Sequence, residues 1–135
     1  QPRAGAPGTT IRVDLADRAA LEARLAEVTA DHDVTRVVNN AGVALLSPID
    51  DFDPDDFEAT MRINVRAPAL IVKHCVPAMK ARGFGRIVNI ASRAALGKGL
   101  RTSYAGSKGA LISATRVWAL ELARHGITVN CVAPG

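Results

Sequence analysis

The sequence predicts an α/β fold in which helices cover a parallel β-sheet on both faces. Segments of strand length alternate with segments of helix length in the order β-α-β-α-β-α-β. The strand segments are largely apolar, as strands of a parallel sheet are when both faces are buried. Each strand segment also ends in a polar or tight sequence, and ligands of such folds bind at the carboxyl ends of the strands. With 135 residues, the chain has room for one doubly wound domain.

The first part of the chain contains two predicted strands joined by a helix. Residues 1–10 are rich in Gly, Pro and Ala and predict a loop. Residues 11–13 predict a short strand, and residues 34–39 predict the second strand. Asp17 is placed to cap the helix between them. The apolar residues of that helix recur at helical spacing: Ala20, Leu21, Leu25 and Val28.

The second part contains two longer helices and two strands. Asp53 followed by Pro54 is a typical helix start, with a capping carboxylate and proline at the first helical position. Gly126 follows the last predicted helix, in the position where glycine commonly ends one. The predicted elements are a helix over residues 53–83, a strand over 86–90, a helix over 103–125 and a strand over 127–132.

Composition excludes several classes of protein. The net charge is +4, but the basic residues are scattered among acidic ones and the few aromatic residues form no stacking platform, so we expect no nucleic-acid partner. No apolar stretch is long enough to span a bilayer. Two cysteines do not make a disulfide framework and favour a reducing cytoplasm. His32, His74 and His125 are isolated from each other and from other ligand types, so no metal site is expected.

Tyr104 and Lys108 are the first candidates for chemistry. They lie four residues apart at the start of a predicted helix, on the same face and one turn apart. A phenol exchanges protons poorly at neutral pH unless a nearby cation stabilises its anion. Ser92 ends the third strand, twelve residues before Tyr104, and so can face the same pocket. Taken separately, the Tyr–Lys pair is usually without function on a surface helix, and Ser92 can simply cap a turn.

Two asparagine-containing segments are less specific. Asn-Asn-Ala-Gly over residues 39–42 follows the second strand, where its small residues allow a flat ring to approach the backbone. By itself it is a turn. Asn64 lies inside the long predicted helix, although asparagine is a poor helix former. It is therefore either exposed to solvent or located where the helix is distorted.

Together these segments resemble the short-chain dehydrogenase/reductase family, and most of all its 3-oxoacyl-carrier-protein reductase-like branch. Five motifs occur in the family's order and spacing, over nearly the whole chain from residue 11 to residue 135. They are Asn-Asn-Ala-Gly at 39–42, Asn-Val at 64–65, Ile-Val-Asn-Ile-Ala-Ser at 87–92, Tyr-Ala-Gly-Ser-Lys at 104–108 and Val-Asn-Cys-Val-Ala-Pro-Gly at 129–135.

The resemblance implies an oxidoreductase that uses NAD or NADP to interconvert a carbonyl and a secondary alcohol. It implies that Tyr104 is the acid/base, that Lys108 assists it and holds the nicotinamide ribose, that Ser92 binds the substrate carbonyl, and that Asn64 holds a water in a proton relay. It also implies a set of cofactor-binding positions shared with Tyr104 and Lys108: Asp14, Leu15, Asn40, Ala41, Gly42, Pro134 and Gly135.

One family motif is absent from the sequence. The Thr-Gly-x-x-x-Gly-x-Gly turn, which binds the pyrophosphate at a helix N-terminus, does not occur. The family's strand order, 3-2-1-4-5-6-7, would make residues 11–13 its third strand. We therefore expect a partial Rossmann-like domain over residues 1–135 that does not bind a dinucleotide tightly on its own. The alternative is a truncated, non-catalytic remnant that serves only in folding or interaction.

The resemblance also bears on partners. It implies a small-molecule substrate and a homo-oligomer, dimer or tetramer, formed through the two long helices. On the second of these helices, Leu111, Trp118 and Leu122 lie at helical spacing and can face either their own sheet or a neighbouring subunit. No membrane partner is expected.

Overall fold

The computed structural model describes residues 8–135. Residues 1–7 of the predicted N-terminal loop lie outside this range. Four α-helices and three β-strands make up most of the described chain. They are α1 (Arg18–Asp31), β1 (Arg36–Asn39), α2 (Pro54–Met61), α3 (Ala67–Arg82), β2 (Gly85–Ile90), α4 (Thr102–Leu122) and β3 (Ile127–Val132). None of the helices among residues 8–135 combines the length and apolar character needed to cross a membrane.

The three strands form one parallel sheet in the order β1-β2-β3. Val37 of β1 is in register with Ile87 of β2, which is in register with Val129 of β3. The predicted parallel α/β sheet is confirmed, and three of the four predicted strands are present. The strand predicted at residues 11–13 is wrong. No described strand pairs with the backbone of that segment, and Ile11 is 44% exposed, so neither hydrogen bonding nor burial stabilises a strand there.

Within the described residues the helices cover only one face of the sheet, which corrects the expectation of helices on both faces. Val37, Ile87 and Val129 point toward the helices and are buried, whereas Val38 is 65% exposed and Val132 49% exposed on the opposite face. The reason lies in the topology. Parallel crossovers are right-handed, and two crossovers that step in the same direction place their helices on the same side. The order β1-β2-β3 never reverses direction.

The helix boundaries follow their capping residues. The side chain of Asp17 accepts a hydrogen bond from the backbone N–H of Ala20, and that of Asp53 accepts one from Asp55 at the start of α2. α3 ends at Gly83 in the left-handed conformation. α4 continues through a short 3₁₀ turn to Gly126, whose φ is 70°. Both predicted helix starts and both glycine stops are therefore confirmed.

The long helix predicted over residues 53–83 is interrupted at one point. Between α2 and α3 the chain makes a π-helical turn over Arg62–Arg66. Asn64 lies in this turn and is only 1% exposed. Of the two alternatives for Asn64, the structure shows local distortion of the helix.

Candidate active site

A cavity of about 510 Å³ opens beyond the carboxyl end of β2, and Ser92 and Tyr104 both line it. Ser92 follows β2 and begins a 3₁₀ turn (Arg93–Leu96), with its side-chain oxygen accepting from the backbone N–H of Ala94 at 3.1 Å. Tyr104 lies in the first turn of α4. The short connection between β2 and α4 thus brings a strand-end hydroxyl and a helix-start phenol to one space.

Lys108 lies one turn further along α4 and is 4% exposed. Its Nζ donates a hydrogen bond to the backbone oxygen of Ile90 at 2.6 Å and lies 5.7 Å from the centre of the Tyr104 ring. Burial lowers the pKa of this lysine below its ordinary value, and Cys131 nearby partly offsets that effect. The cationic group is therefore fixed at the strand end, shielded from water and close to the phenol.

Asn64 is held from three directions. Its Nδ2 donates to the backbone oxygen of Val43 at 2.8 Å and to Oγ of Ser107 at 2.9 Å, and its Oδ1 accepts from the backbone N–H of Val43 at 2.9 Å. Ser107 in turn donates to the backbone oxygen of Tyr104 at 2.7 Å. The asparagine side chain therefore joins the loop after β1 to the first turn of α4, and Lys108 is not among its hydrogen-bond partners.

Gly42 occupies the narrow space between Asn64 and Lys108. A Cβ at this position would lie 3.0 Å from Oδ1 of Asn64 and 3.4 Å from Nζ of Lys108. The absence of a side chain at Gly42 keeps open the space in front of the lysine.

The predicted adenosine-side residues lie apart from this cavity. Leu15, Asn40 and Ala41 line a small cleft of about 60 Å³ beside the end of β1. Asp14 is exposed and does not line the cleft, and its carboxylate accepts from the backbone N–H of Ala16 at 2.8 Å.

The predicted residues at the end of the chain lie at the cavity that Ser92 and Tyr104 line. Gly135 lines the 510 Å³ cavity together with Ser92 and Tyr104. The backbone oxygen of Pro134 accepts from the backbone N–H of Arg93 at 2.9 Å. This bond fixes the segment after β3 against the turn that follows β2.

Asn39 and Asn89 form a buried hydrogen-bond network that was not predicted from the sequence. Asn39 donates to Oδ1 of Asn89 at 2.8 Å, and Asn89 donates to Oγ1 of Thr115 on α4, also at 2.8 Å. The two asparagines are in register on β1 and β2. The sequence does contain a signal for this network, because an asparagine inside an apolar strand segment is unusual unless another group hydrogen-bonds its buried amide.

Comparison with known proteins identifies the family. The family model described as short chain dehydrogenase matches residues 2–135. The chain belongs to the short-chain dehydrogenase family.

Three similar proteins illustrate the range of the family. The chain is 44% identical over 100 residues to the uncharacterised oxidoreductase YxjF of Bacillus subtilis, which covers 73% of this chain and 39% of that protein. It is 36% identical over 135 residues to galactitol 2-dehydrogenase of Agrobacterium fabrum, covering 97% of this chain and 52% of that protein. A gluconate 5-dehydrogenase from Burkholderia cenocepacia, solved with NADP and tartrate, aligns with a TM-score of 0.85 and 36% identity over 91% of this chain and 49% of that one. The chain thus spans between 39% and 52% of the length of these proteins.

Proposed function

We propose that the protein containing this chain is an NAD- or NADP-dependent oxidoreductase that interconverts a carbonyl and a secondary alcohol. Residues 1–135 would form part of its single cofactor-binding domain. The observation that carries the proposal is the arrangement of Ser92 and Tyr104 on one cavity, with the buried ammonium of Lys108 behind the phenol. The gluconate 5-dehydrogenase that the chain resembles was solved with NADP, which supports the choice of cofactor.

The hydroxyl of Ser92 is oriented to act as a donor. A serine hydroxyl has one donor and two acceptor positions. The N–H of Ala94 uses an acceptor position of Ser92, which leaves the O–H to donate to a carbonyl oxygen in the cavity. Such a donor stabilises the negative charge that grows on that oxygen as the carbonyl is reduced.

Tyr104 would give a proton to that oxygen in reduction and accept one in oxidation. The ammonium of Lys108, held by Ile90 and removed from water, stabilises negative charge on the phenolic oxygen during the transfer, because charge interactions are stronger in a dry site. Asn64 positions the turn that carries Tyr104 through Ser107. Asn64 would also hold a water molecule in a proton relay behind Lys108.

The residues present fit part of a dinucleotide. Gly42 leaves the space beside Lys108 that a Cβ would fill, so Lys108 can reach a ribose. Bound there, the nicotinamide supplies or accepts the hydride. The adenosine would contact Leu15, Asn40 and Ala41 at the small cleft, with Asp14 nearby in sequence.

At the catalytic end, the dinucleotide would contact two further residues. Pro134 and Gly135 would border the nicotinamide, since Gly135 lines the catalytic cavity and Pro134 is tied to the turn beside it.

Substitution of Tyr104 by Phe in the full-length protein tests this function. Only the hydroxyl is lost, so kcat for carbonyl reduction should fall by at least about 10²-fold, the usual contribution of a general acid, while NADPH or NADH binding measured by fluorescence stays nearly the same. Ser113→Ala removes an exposed hydroxyl from the same helix and should leave kcat unchanged. A Tyr104→Phe variant that keeps a tenth of the wild-type activity would show that Tyr104 is not the acid/base. A wild-type protein that is inactive on every carbonyl would favour the non-catalytic alternative.

We also propose that the full-length protein is a homo-oligomer. Leu111 and Leu122 are buried inside the subunit and Trp118 packs against the core, so these residues face inward. On the outer side of α4, Leu120 is 83% exposed and Val117 48% exposed, and apolar residues of this kind favour contact with a second subunit. Light scattering at micromolar concentration should give a mass of at least two subunits, and a strictly monomeric protein would contradict the proposal.

We propose a cytoplasmic location because Cys75 and Cys131 are free thiols. Cys75 is buried and Cys131 is half-buried, and neither forms a disulfide within the described chain. Free thiols of this kind are typical of reducing compartments.

A further inference from the structure

The cavity that contains Ser92 and Tyr104 is positively charged. Three basic residues line it, namely Arg93, Lys98 and Arg101, and no acidic residue does so among the described residues. The remaining lining is small or apolar. A cavity of about 510 Å³ is of ordinary size for a small-molecule site, so its charge bears on which substrates it admits.

The two arginines are placed close to the reacting groups. The guanidinium carbon of Arg101 lies 5.9 Å from the centre of the Tyr104 ring. The backbone of Arg93 is fixed by its hydrogen bond to Pro134, and its guanidinium lies beside Gly135, 3.4 Å from where a Cβ would stand on that glycine.

These basic groups are also available to a ligand. None of Arg93, Lys98 and Arg101 forms an ion pair within 4.0 Å in the part of the chain that the structure describes.

One carboxylate lies in the neighbourhood. Lys98 and Arg101 also line an adjoining groove of about 480 Å³, which contains Asp50. This carboxylate partly balances the charge of those two residues. Arg93 lines the cavity with Ser92 and Tyr104 but not the groove that contains Asp50.

From this arrangement we infer that the substrate carries a carboxylate, as a short hydroxy acid and its oxo acid do, and that Arg93 binds that carboxylate with help from Arg101. The inference rests on the proposed oxidoreductase function and specifies its substrate class. A guanidinium offers two parallel N–H donors that match a carboxylate. With the carboxylate on Arg93, the oxidisable carbon of a short chain can reach Ser92 and Tyr104 across the same cavity.

Matched pairs of alcohols in the full-length protein test the inference. Each pair has one carbon skeleton with and without the carboxylate: 3-hydroxybutyrate with 1,3-butanediol, lactate with 1,2-propanediol, and gluconate with glucitol. Oxidation is followed at 340 nm with NAD and with NADP. We expect the charged member of at least one pair to have a kcat/KM about ten- to hundredfold above that of its neutral partner, which is the range for a hydrogen bond to a charged group.

Substitution of Arg93 should then remove the preference. Arg93→Gln lowers the charged-to-neutral ratio of kcat/KM by about tenfold or more, and it does so mainly through KM for the acid, because the neutral partner never used the charge. Arg93→Lys restores part of the ratio. Arg24→Gln is the control, since Arg24 is exposed on α1 and pairs with Glu27, and it should leave the ratio unchanged. The Arg93 side chain is exposed, so these variants should fold.

The outcomes separate this inference from the proposed function. If neutral alcohols are oxidised with the same kcat/KM as their charged partners, the inference is wrong but the proposed function is unaffected. The same holds if the Arg93→Gln variant keeps the full charged-to-neutral ratio. No turnover of any alcohol with either cofactor would count against the proposed function itself.

Discussion

Replacing Asn64 by Asp should destabilise the protein although the two side chains have the same shape. In the wild type, Nδ2 of Asn64 donates to the backbone oxygen of Val43 and to Ser107. A carboxylate would place an oxygen against both acceptors, and the hydroxyl proton of Ser107 is already donated to Tyr104. Two buried hydrogen bonds are lost at about 1–3 kcal/mol each, so the free energy of unfolding should fall by roughly 2–6 kcal/mol near neutral pH.

The pH dependence of this loss provides a sharper test. At a site that is 1% exposed, burial and the two facing acceptors, the backbone oxygen of Val43 and Oγ of Ser107, disfavour a carboxylate. The Lys108 ammonium across Gly42 acts in the opposite direction. We expect the first two effects to prevail and to raise the pKa of the introduced carboxyl above its value in the unfolded chain, about 3.9. Once protonated, the carboxyl can again donate to Val43. The folded variant therefore holds its proton to higher pH than the unfolded one, and its stability falls as pH rises through that window. The loss should be smallest near pH 4 and largest above neutral pH.

The assay is urea denaturation of wild type and variant across this pH range. Asn130→Asp is the matched control, because Asn130 is exposed on β3 and the same substitution there should cost no more than about 0.5 kcal/mol. A loss below about 1 kcal/mol for Asn64→Asp, or one that does not change with pH, would refute the role of Asn64 as a clamp between the loop after β1 and α4.

Three further predictions concern two glycines and the two cysteines. Gly83 and Gly126 both have positive φ, but a Cβ on Gly126 would lie 2.2 Å from the backbone oxygen of Gly83, whereas one on Gly83 would meet nothing within 4 Å among residues 8–135. In denaturation experiments Gly83→Ala should therefore cost about 1–2 kcal/mol, Gly126→Ala should cost at least about 1 kcal/mol more, and equal costs would contradict the contact. Iodoacetamide should alkylate half-buried Cys131 before buried Cys75, as peptide mapping would show, and a faster reaction at Cys75 would contradict the packing. Burial raises the pKa of Cys75, so the unfolded chain loses this proton first and stability should fall as pH rises through the ordinary thiol range, a slope that Cys75→Ala should reduce.

Local signals in the sequence predicted the helices and three strands. Asp17 and Asp53 cap where their side chains suggest, because a capping bond depends only on residues within one turn. The predictions of a strand at residues 11–13 and of helices on both faces were wrong because these features do not depend on local sequence. A strand needs a neighbouring strand with which to pair, and a sheet face is covered only where a right-handed crossover runs in the direction that places its helix there. Both depend on parts of the fold far away in sequence.

In the candidate site, too, local features were predictable from the sequence and long-range contacts were not. Tyr104 and Lys108 share a helix turn, so their proximity follows from spacing alone, and the structure places them accordingly. The partners of Asn64 could not be read from the sequence, because Val43 and Ser107 lie 21 and 43 residues away from it. A mid-helix asparagine indicated a distortion, but only the folded chain shows the π-turn that carries its amide into contact with both partners.

The face of α4 that carries the candidate chemistry is also the face by which α4 docks on the rest of the domain. Lys108 bonds to the end of β2, Ser107 bonds to Asn64, and Thr115 two turns further on bonds to Asn89. Apolar contacts have no preferred direction, whereas buried hydrogen bonds weaken when the distance and angle between donor and acceptor depart from a narrow range. Polar contacts at two levels of α4, about two turns apart, therefore fix its rotation and its position along the sheet. The position of Tyr104 on the cavity that it shares with Ser92 follows from that docking. We accordingly expect substitutions at Thr115, which lines neither the cavity nor the cleft, to lower activity by shifting the phenol.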